Sequence, residues 1–153
     1  AGTGSVIRRM VAADVAAVAE LEAQSFSSPW HPATFLRLLD RPGAELWVLE
    51  MEGRVMAYAV LWCILDQAEL ANIAVRPEAR GRGLGAALLD HVLGVARDRG
   101  VESVFLEVRE SNRVARELYA GRGFQEVGVR RGYYDAPKED ARVLELRLPG
   151  KRL

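Results

Sequence analysis

Cysteine and histidine are nearly absent from this chain of 153 residues, which contains one cysteine, Cys63, and two histidines, His31 and His91. A single cysteine cannot form an intramolecular disulfide, so a secreted disulfide scaffold is excluded. Because sulfur and imidazole ligands are so few, we expect no metal site.

The sequence also lacks net charge and long hydrophobic runs. Lys plus Arg number 21 and Asp plus Glu number 21, so no overall attraction to nucleic acid or to an anionic membrane is expected. The longest apolar run, residues 55–65, is shorter than the ~20 residues that span a bilayer. The sequence shows no charged and apolar leader, so we predict no signal peptide and a cytoplasmic location.

Half of the residues are hydrophobic, which fits one domain with a sizeable core. We assign residues 1–5 to a terminal extension or expression remnant and residues 6–149 to a single domain. Apolar periodicity predicts strands at residues 6–10, 45–51, 54–65, 69–75, 103–108, 125–131 and 143–148, and helices at residues 12–24, 32–39, 84–99 and 112–120. This order predicts an α/β fold with one mixed sheet and helices on both faces.

A glycine-rich turn, residues 80–85 (Arg-Gly-Arg-Gly-Leu-Gly), precedes the third predicted helix. A helix N-terminus presents unpaired N–H groups and partial positive charge, and glycines let a phosphate approach the backbone. The turn therefore predicts a pyrophosphate site. Two alternatives remain open, namely a solvated basic turn and the dinucleotide fingerprint Gly81-x-Gly83-x-x-Ala86. That fingerprint fits poorly, because residues 76–80 separate Gly81 from the preceding strand.

The pattern Arg80-x-x-Gly83-x-Gly85, after a strand and at the start of a helix, resembles the acyl-CoA signature of the GCN5-related N-acetyltransferases (GNAT family). The similarity covers nearly the whole chain. It implies a GNAT-like domain of about seven strands and four helices, whose splayed sheet holds acetyl-CoA in the gap. By resemblance, the backbone of Ile73, Ala74 and Val75 pairs with the acetyl-pantetheine arm, and Gly81, Arg82, Gly83, Leu84, Gly85 and Ala86 cradle the pyrophosphate.

Two residues are candidates for the chemistry. Glu107 is an interior carboxylate on the strand at residues 103–108. It is either an ion-pair partner, for example of Arg109, or a general base that takes a proton from an amine. Tyr119 is either a core aromatic or a group that faces the departing sulfur of CoA. A phenol of pKa near 10 protonates a thiolate of pKa near 8.5 poorly, so a hydrogen bond to the sulfur is the safer expectation.

Several further segments agree in order and spacing with one branch of that family. They are residues 106–112 (Leu-Glu-Val-Arg-Glu-Ser-Asn), Leu118-Tyr119, Gly123-Phe124, residues 130–134 (Arg-Arg-Gly-Tyr-Tyr), Glu139-Asp140-Ala141, and Pro29-Trp30 with Thr34-Phe35. Together they resemble the ribosomal-protein-alanine N-acetyltransferase (RimI) branch. This resemblance implies that Glu107 is the base, Tyr119 the acid and Asn112 a CoA contact.

Aromatic residues occur in two predicted loops. Pro29 and Trp30 lie between the first two helices, and Tyr133 and Tyr134 between the last two strands. By resemblance, both loops form the walls of a peptide slot. The alternative is that these aromatic residues only anchor their loops.

The expected function is an N-terminal protein acetyltransferase that uses acetyl-CoA in direct transfer within a ternary complex. By resemblance, its substrate is the alanine-starting small-subunit ribosomal protein numbered eighteen. The alternatives are an acetyltransferase for other N-termini or small amines, and a CoA-binding module without catalysis. The sequence assigns no oligomeric state.

Overall fold

The structure, a computed structural model, describes residues 4–149 and contains one sheet of seven strands in the order β1-β2-β3-β4-β5-β7-β6. The strands are β1 (Ser5–Arg9), β2 (Ala44–Met51), β3 (Arg54–Ile64), β4 (Gln67–Val75), β5 (Ser103–Arg109), β6 (Gln125–Asp135) and β7 (Lys138–Arg147). The helices are α1 (Val15–Ser25), α2 (Pro32–Leu39), α3 (Leu84–Asp98) and α4 (Arg113–Gly121). Within residues 4–149, no helix is long and apolar enough to cross a membrane.

Helices cover both faces of the sheet, as predicted. Val18 and Leu21 of α1 and Phe35 of α2 pack in one core cluster with inward-facing residues of β2 and β3. On the other face, α3 contributes Leu88 and Val92 to a second cluster, which also contains Tyr119 of α4. The sheet therefore separates an α1/α2 face from an α3/α4 face.

The sheet is splayed between its two parallel strands. The β4–β5 pairing is parallel and covers Gln67↔Ser103, Ala68↔Val104 and Glu69↔Phe105. Beyond Glu69 the two strands diverge, while β4 remains paired with β3 as far as Val75. Ala71 forms a bulge in β4, because Leu70 and Asn72 pair with consecutive residues of β3. A bulge bends its strand, so the sheet opens between β4 and β5 toward their C-terminal ends.

Local sequence signals explain where several elements begin and end. His31 caps α2, since its Nδ1 accepts a hydrogen bond from Ala33 N at 3.1 Å, and Pro32 is the first helical residue. Glu52 and Gly53 both have positive φ and form the two-residue turn between β2 and β3. Gly100, with φ of +83°, follows the end of α3.

Two sequence-based boundaries were wrong. Residues 1–3 of the predicted extension lie outside the described residues, but Ser5 belongs to β1 and pairs with Met51. The last two strands are much longer than predicted, so Tyr133 and Tyr134 lie on β6 rather than in a loop. β6 is a largely exposed edge strand and therefore lacks the apolar alternation by which strands are recognised.

Candidate active site

The glycine-rich turn leads directly into α3. β4 ends at Val75, and a short 3-10 turn at Pro77–Ala79 comes before the glycines. Gly81 and Gly83 have φ of +81° and +76°, and a Cβ built on either residue would have no atom within 4 Å. Both glycines therefore face open space in a backbone conformation that favours glycine. The open space and the following helix N-terminus fit a bound pyrophosphate.

The other residues of this turn differ in exposure. Arg82 is exposed, whereas Leu84 and Ala86 are half-buried in the first turn of α3. Gly85 has a packing role, since a Cβ there would lie 3.4 Å from Val75 Cγ2. The open approach for a phosphate is therefore at Gly81 and Gly83.

The end of β4 has one edge that is not paired with β5. Ile73 and Val75 pack toward the α3/α4 cluster, and Ala74 belongs to the α1/α2 cluster. The side chain of Arg80 donates to the Val75 carbonyl at 3.2 Å, which links the strand to the glycine-rich turn. This edge fits an extended ligand arm that adds hydrogen bonds to β4.

Asn112 lies at the other side of the opening, where β5 leads into α4. It is exposed and caps α4, because its Oδ1 accepts a hydrogen bond from Ala115 N at 3.2 Å. Its predicted contact with CoA stays a prediction.

Glu107 lies on β5 and points to the α1/α2 face. Its neighbours Leu106 and Val108 belong to the core cluster under α3, and strand side chains alternate between faces. The Arg130 Nε lies 3.0 Å from Glu107 Oε2, so the ion pair expected from the sequence does form, with Arg130 rather than Arg109. The two groups are not aligned as a hydrogen bond, and Oε2 is buried with no hydrogen-bond partner among residues 4–149.

The surroundings of Glu107 raise its pKa above the ordinary value of a glutamate. Desolvation by burial is the largest cause, and the negative charge of Glu69 acts in the same direction. The charge of Arg130 and a hydrogen bond from the Tyr133 hydroxyl oppose these effects and lower the pKa. A carboxylate whose pKa is raised is suited to accept a proton from an amine.

Tyr119 reaches the same region from the other face. It lies on α4, is buried within the α3/α4 cluster, and packs edge-on against Phe124 with ring centroids 5.6 Å apart. Burial is the largest cause that raises the pKa of Tyr119, and Tyr134 raises it further. The hydroxyl is therefore protonated at neutral pH and can donate a hydrogen bond.

The splayed strands allow these two groups to act at one place. Tyr134 is within electrostatic reach of both, since its hydroxyl raises the pKa of Tyr119 and the charge of Glu107 contributes to a Tyr134 pKa of about 12. In a continuous sheet, groups on opposite faces would be separated by paired backbone. Here the pairing of β4 with β5 ends at Glu69, so the sheet is open between these two strands beyond that residue.

Two walls flank Glu107 on the α1/α2 face. The first is the connection between α1 and α2, in which Pro29 is exposed and Trp30 is half-buried against Phe35, with ring centroids 5.4 Å apart. The second is the β6–β7 hairpin, where Tyr133 is exposed and Tyr134 is half-buried. Both aromatic pairs are thus on the side from which an amine would reach Glu107.

Arg109 joins these walls and was not identified as a site residue from the sequence. Its guanidinium donates to Pro137 O at 2.8 Å and to Ser27 Oγ at 2.9 Å, and it pairs with Glu139 at 3.2 Å. It also lies 4.2 Å from the Tyr134 ring centroid, within range of a cation–π contact. The sequence signal was present, because Arg109 follows Glu107 by two residues and so shares its face of β5.

Comparison with known proteins assigns this arrangement to a family. Residues 15–124 match the model of the Acetyltransferase (GNAT) family. The chain belongs to the GNAT family. It is an acetyl-CoA-dependent N-acetyltransferase, and the GNAT fold accounts for both the splayed sheet and the glycine-rich turn.

Relatives of this GNAT chain resemble it over nearly their whole length. A ribosomal protein bS18-alanine N-acetyltransferase from Escherichia coli K12 is 36% identical over 146 residues, which cover 93% of this chain and 97% of the relative. The crystal structure of the Escherichia coli ribosomal-protein-S18-alanine N-acetyltransferase superposes with a TM-score of 0.88 at 35% identity, covering 97% and 98% of the two chains. The Ard1 structure from Thermoplasma volcanium gives a TM-score of 0.89 at 25% identity, covering 95% and 99%.

These findings confirm the family and the fold expected from the sequence. They also remove the dinucleotide alternative, because Gly81 does not follow its strand directly and β3 and β4 form an antiparallel pair. The sequence reasoning missed Arg109, Arg130 and the buried Glu22. For Glu22 a signal existed, since this acidic residue occupies a helical position next to the apolar stripe of α1.

The glycine-rich turn of this GNAT enzyme allows a matched test. Gly83→Ala is expected to weaken CoA binding about tenfold or more, which corresponds to ~1.4 kcal/mol, because a methyl group would enter the space left for phosphate. Gly100→Ala is the control, since Gly100 has a similar φ and open space but lies at the far end of α3. Both variants should lose about 1–2 kcal/mol of folding stability from the left-handed backbone.

Calorimetric titration with CoA and with dephospho-CoA measures this difference. Gly83→Ala should bind both ligands more weakly, since the pyrophosphate is common to them. Equal affinities of the two folded variants would mean that the pyrophosphate lies elsewhere.

Proposed function

We propose that this chain transfers the acetyl group of acetyl-CoA to the α-amine of an N-terminal alanine, that of small-subunit ribosomal protein bS18, by direct attack in a ternary complex. The observation that supports the proposal is that Glu107 and Tyr119 lie on opposite faces of a sheet that opens between β4 and β5, with Tyr134 in electrostatic reach of both. The names of the relatives at 36% and 35% identity support the choice of substrate.

The proposed role of Glu107 is that of the general base. An α-amine has a pKa of about 7.7–8.0, so most of it is protonated at neutral pH and cannot attack a thioester. The carboxylate of Glu107 can accept the proton, directly or through one water, and its raised pKa lies closer to the pKa of the amine than that of an ordinary glutamate does. Glu107 then holds the proton while the new amide bond forms.

The proposed role of Tyr119 is to stabilise the leaving sulfur. Its hydroxyl remains protonated because burial raises its pKa. A hydrogen bond from this phenol lowers the energy of the developing thiolate, and complete proton transfer to the sulfur is not required. The acid and the base therefore act on different reacting atoms from different faces of the sheet.

The proposed acetyl-CoA site extends from β4 to α4. Ile73, Ala74 and Val75 supply backbone groups to the acetyl-pantetheine arm, and Asn112 contacts CoA from the start of α4. The pyrophosphate is held by the backbone of Gly81, Arg82, Gly83, Leu84, Gly85 and Ala86. The open space at Gly81 and Gly83 and the unpaired edge of β4 support this assignment.

The proposed peptide slot lies between the two aromatic walls. Pro29 and Trp30 shape the pocket for the first residue, and Tyr133 and Tyr134 contact the first backbone groups of the peptide. Arg109 supports this assignment, because it fixes the hairpin and the α1–α2 connection at one separation. The exposure of Tyr133 leaves its ring accessible to a bound chain.

The proposed substrate also indicates where the reaction takes place and which partners it needs. A ribosomal protein substrate implies a reaction in the cytoplasm, carried out by one domain that includes Ser5 of β1. No step needs a metal, a membrane or a direct contact with nucleic acid. The alternative of a CoA-binding module without catalysis is disfavoured by the raised pKa of the Glu107 carboxylate, which desolvation by burial causes.

We predict that the enzyme acetylates the α-amine of an alanine-starting peptide and leaves lysine side chains nearly untouched. A lysine ε-amine has a pKa of about 10.4, so its neutral fraction at pH 7 is several hundred times smaller than that of an α-amine. In addition, a flexible four-carbon stem offers no backbone groups near its amine for Tyr133 and Tyr134 to contact. Mass spectrometry of peptides after incubation with acetyl-CoA measures both products.

The comparison uses the alanine-starting peptide of bS18, the same peptide acetylated at its terminus but containing lysine, and a proline-starting peptide. The first should react and the other two should not. Similar rates on the first two peptides would contradict N-terminal selectivity while leaving acetyl transfer intact. Absence of any thiol release would support the non-catalytic alternative.

A further inference from the structure

A second acidic residue, Glu22, lies near the peptide side of the site without any role in the proposed chemistry. Glu22 is on α1, and only 1% of its surface is exposed. Burial of a carboxylate is costly unless hydrogen bonds replace its hydration. A glutamate at such a core position therefore depends strongly on its partners.

Three donors from three different segments surround this carboxylate. The Tyr58 hydroxyl of β3 donates to Oε1. Asn72 Nδ2 of β4 donates to the same oxygen at 2.7 Å, and Trp30 N, in the α1–α2 connection, donates to Oε2 at 2.9 Å. All three donors are neutral, so the network fixes positions by hydrogen-bond geometry rather than by an ion pair.

The three segments meet at the point where the two substrates would meet. Asn72 follows the Ala71 bulge, which is where β4 departs from β5. Trp30 belongs to the wall proposed for the first peptide residue. Glu22 thus connects the wall on the peptide side to the bulged strand on the acetyl-CoA side through two hydrogen bonds of one carboxylate.

The only other buried glutamate among residues 4–149, Glu45, has a different environment. It is 2% exposed and forms ion pairs with Arg9 at 2.9 Å and Arg99 at 2.6 Å, and it accepts from Trp47 Nε1 at 3.0 Å. These partners lie on β1, on β2 and just after α3, away from the gap between β4 and β5. Glu45 therefore matches Glu22 in residue type and burial, but differs from it in the charge of its partners and in location.

We infer that Glu22 is a positioning residue for the acetyl transfer, which sets the distance between the Trp30 wall and the β4 bulge. This inference rests on the proposed function, because it takes Trp30 as part of the peptide slot. A carboxylate in this place accepts from Trp30 N and Asn72 together, whereas a glutamine offers one oxygen and places an N–H₂ group against a donor. The expected consequence is a displaced wall in an otherwise folded enzyme.

Glu22→Gln is expected to lower kcat/KM for the alanine-starting peptide about ten- to a hundredfold, as small misplacements of reacting groups do. Its Kd for CoA should change much less than kcat/KM does, because the glycine-rich turn is not touched. Glu45→Gln should lower the thermal stability at least as much as Glu22→Gln does, since it leaves two arginines without their partner. Its kcat/KM should nevertheless remain that of the wild type. Steady-state kinetics, calorimetry with CoA and thermal unfolding measure the three quantities.

A double variant tests whether Glu22 acts through the wall. In the background of Trp30→Ala, the additional loss from Glu22→Gln should be much smaller than in the wild type, because the side chain being positioned is absent. Indole NMR resonances give a readout that does not depend on substrate. Glu22→Gln should shift the resonance of Trp30 and leave that of Trp47 in place, and Glu45→Gln should do the reverse.

Two results would overturn the inference. One is a kcat/KM within about twofold of the wild type in folded Glu22→Gln, and the other is an equal loss in Glu45→Gln. If Glu22→Gln does not fold, Tyr58→Phe provides the test. This variant removes one hydrogen-bond donor to Glu22 and should also lower kcat/KM. An inactive wild type would instead contradict the proposed function, and the Trp30 resonance would still report on the position of the wall.

Discussion

Glu107→Gln is expected to lower the rate of acetyl transfer at neutral pH by about 10²–10⁴-fold, the range over which general bases usually contribute. The amide keeps the shape of the side chain but cannot accept the proton of the amine. Fold and CoA affinity should be retained, because Glu107 faces the α1/α2 side and the glycine-rich turn lies elsewhere. The measurement is kcat/KM for the alanine-starting peptide at saturating acetyl-CoA.

The pH dependence makes this prediction specific. The rate loss of Glu107→Gln should shrink as pH rises, because the free amine then forms without a base. Arg130 lowers the pKa of Glu107, so Arg130→Gln should raise that pKa and move the acidic limb of kcat/KM to higher pH. Glu69 raises the same pKa, so Glu69→Gln should move this limb to lower pH. An unchanged rate of Glu107→Gln, with the chemical step limiting, would contradict the assignment.

Tyr119→Phe is the second variant with a large expected effect, a loss in kcat of about 10²–10³-fold, similar to removal of one donor from an oxyanion hole. The phenylalanine ring preserves the packing against Phe124 and removes only the hydroxyl. Because the hydroxyl faces the sulfur of CoA in the proposed reaction, the loss should appear in kcat and leave the KM for peptide nearly unchanged.

The two variants should differ in their response to pH. High pH supplies the free amine but does not replace a hydrogen bond to the leaving sulfur, so Tyr119→Phe should stay impaired where Glu107→Gln recovers. Single-turnover measurements separate this step from product release. Full activity of Tyr119→Phe would contradict the proposed hydrogen bond to the leaving sulfur. Tyr119 would then be only a core aromatic residue, which is consistent with its burial.

Prediction of the fold was most successful where apolar periodicity or turn chemistry was strong. The predicted ranges of α2 and α3, residues 32–39 and 84–99, agree with the observed helices to within one residue. Prediction was weakest for β6, whose exposed edge position requires little apolar alternation. The consequence was functional, because Tyr133 and Tyr134 were placed in a loop and lie on a strand.

In the candidate site, too, features that depend on neighbouring residues were predicted better than contacts between residues far apart in the sequence. For Glu107 the sequence left an ion pair as the alternative to a general base, with the nearby Arg109 as one possible partner. The structure instead pairs Glu107 with Arg130 of β6 and uses Arg109 to join the hairpin to Ser27. These contacts bridge residues far apart in the chain, so no spacing along one strand could have revealed them.

The sequence by itself determined which elements form, the glycine-rich turn before α3 and the identity of Glu107 and Tyr119 as candidates, because each depends on neighbouring residues. Only the tertiary structure decided that these two groups lie on opposite faces of a sheet that opens after Glu69. It also decided that Glu22, hidden under α1, contacts both β4 and the α1–α2 connection. The physical reason is that splaying, burial and three-way hydrogen bonding arise from packing among segments that the chain brings together only when it folds.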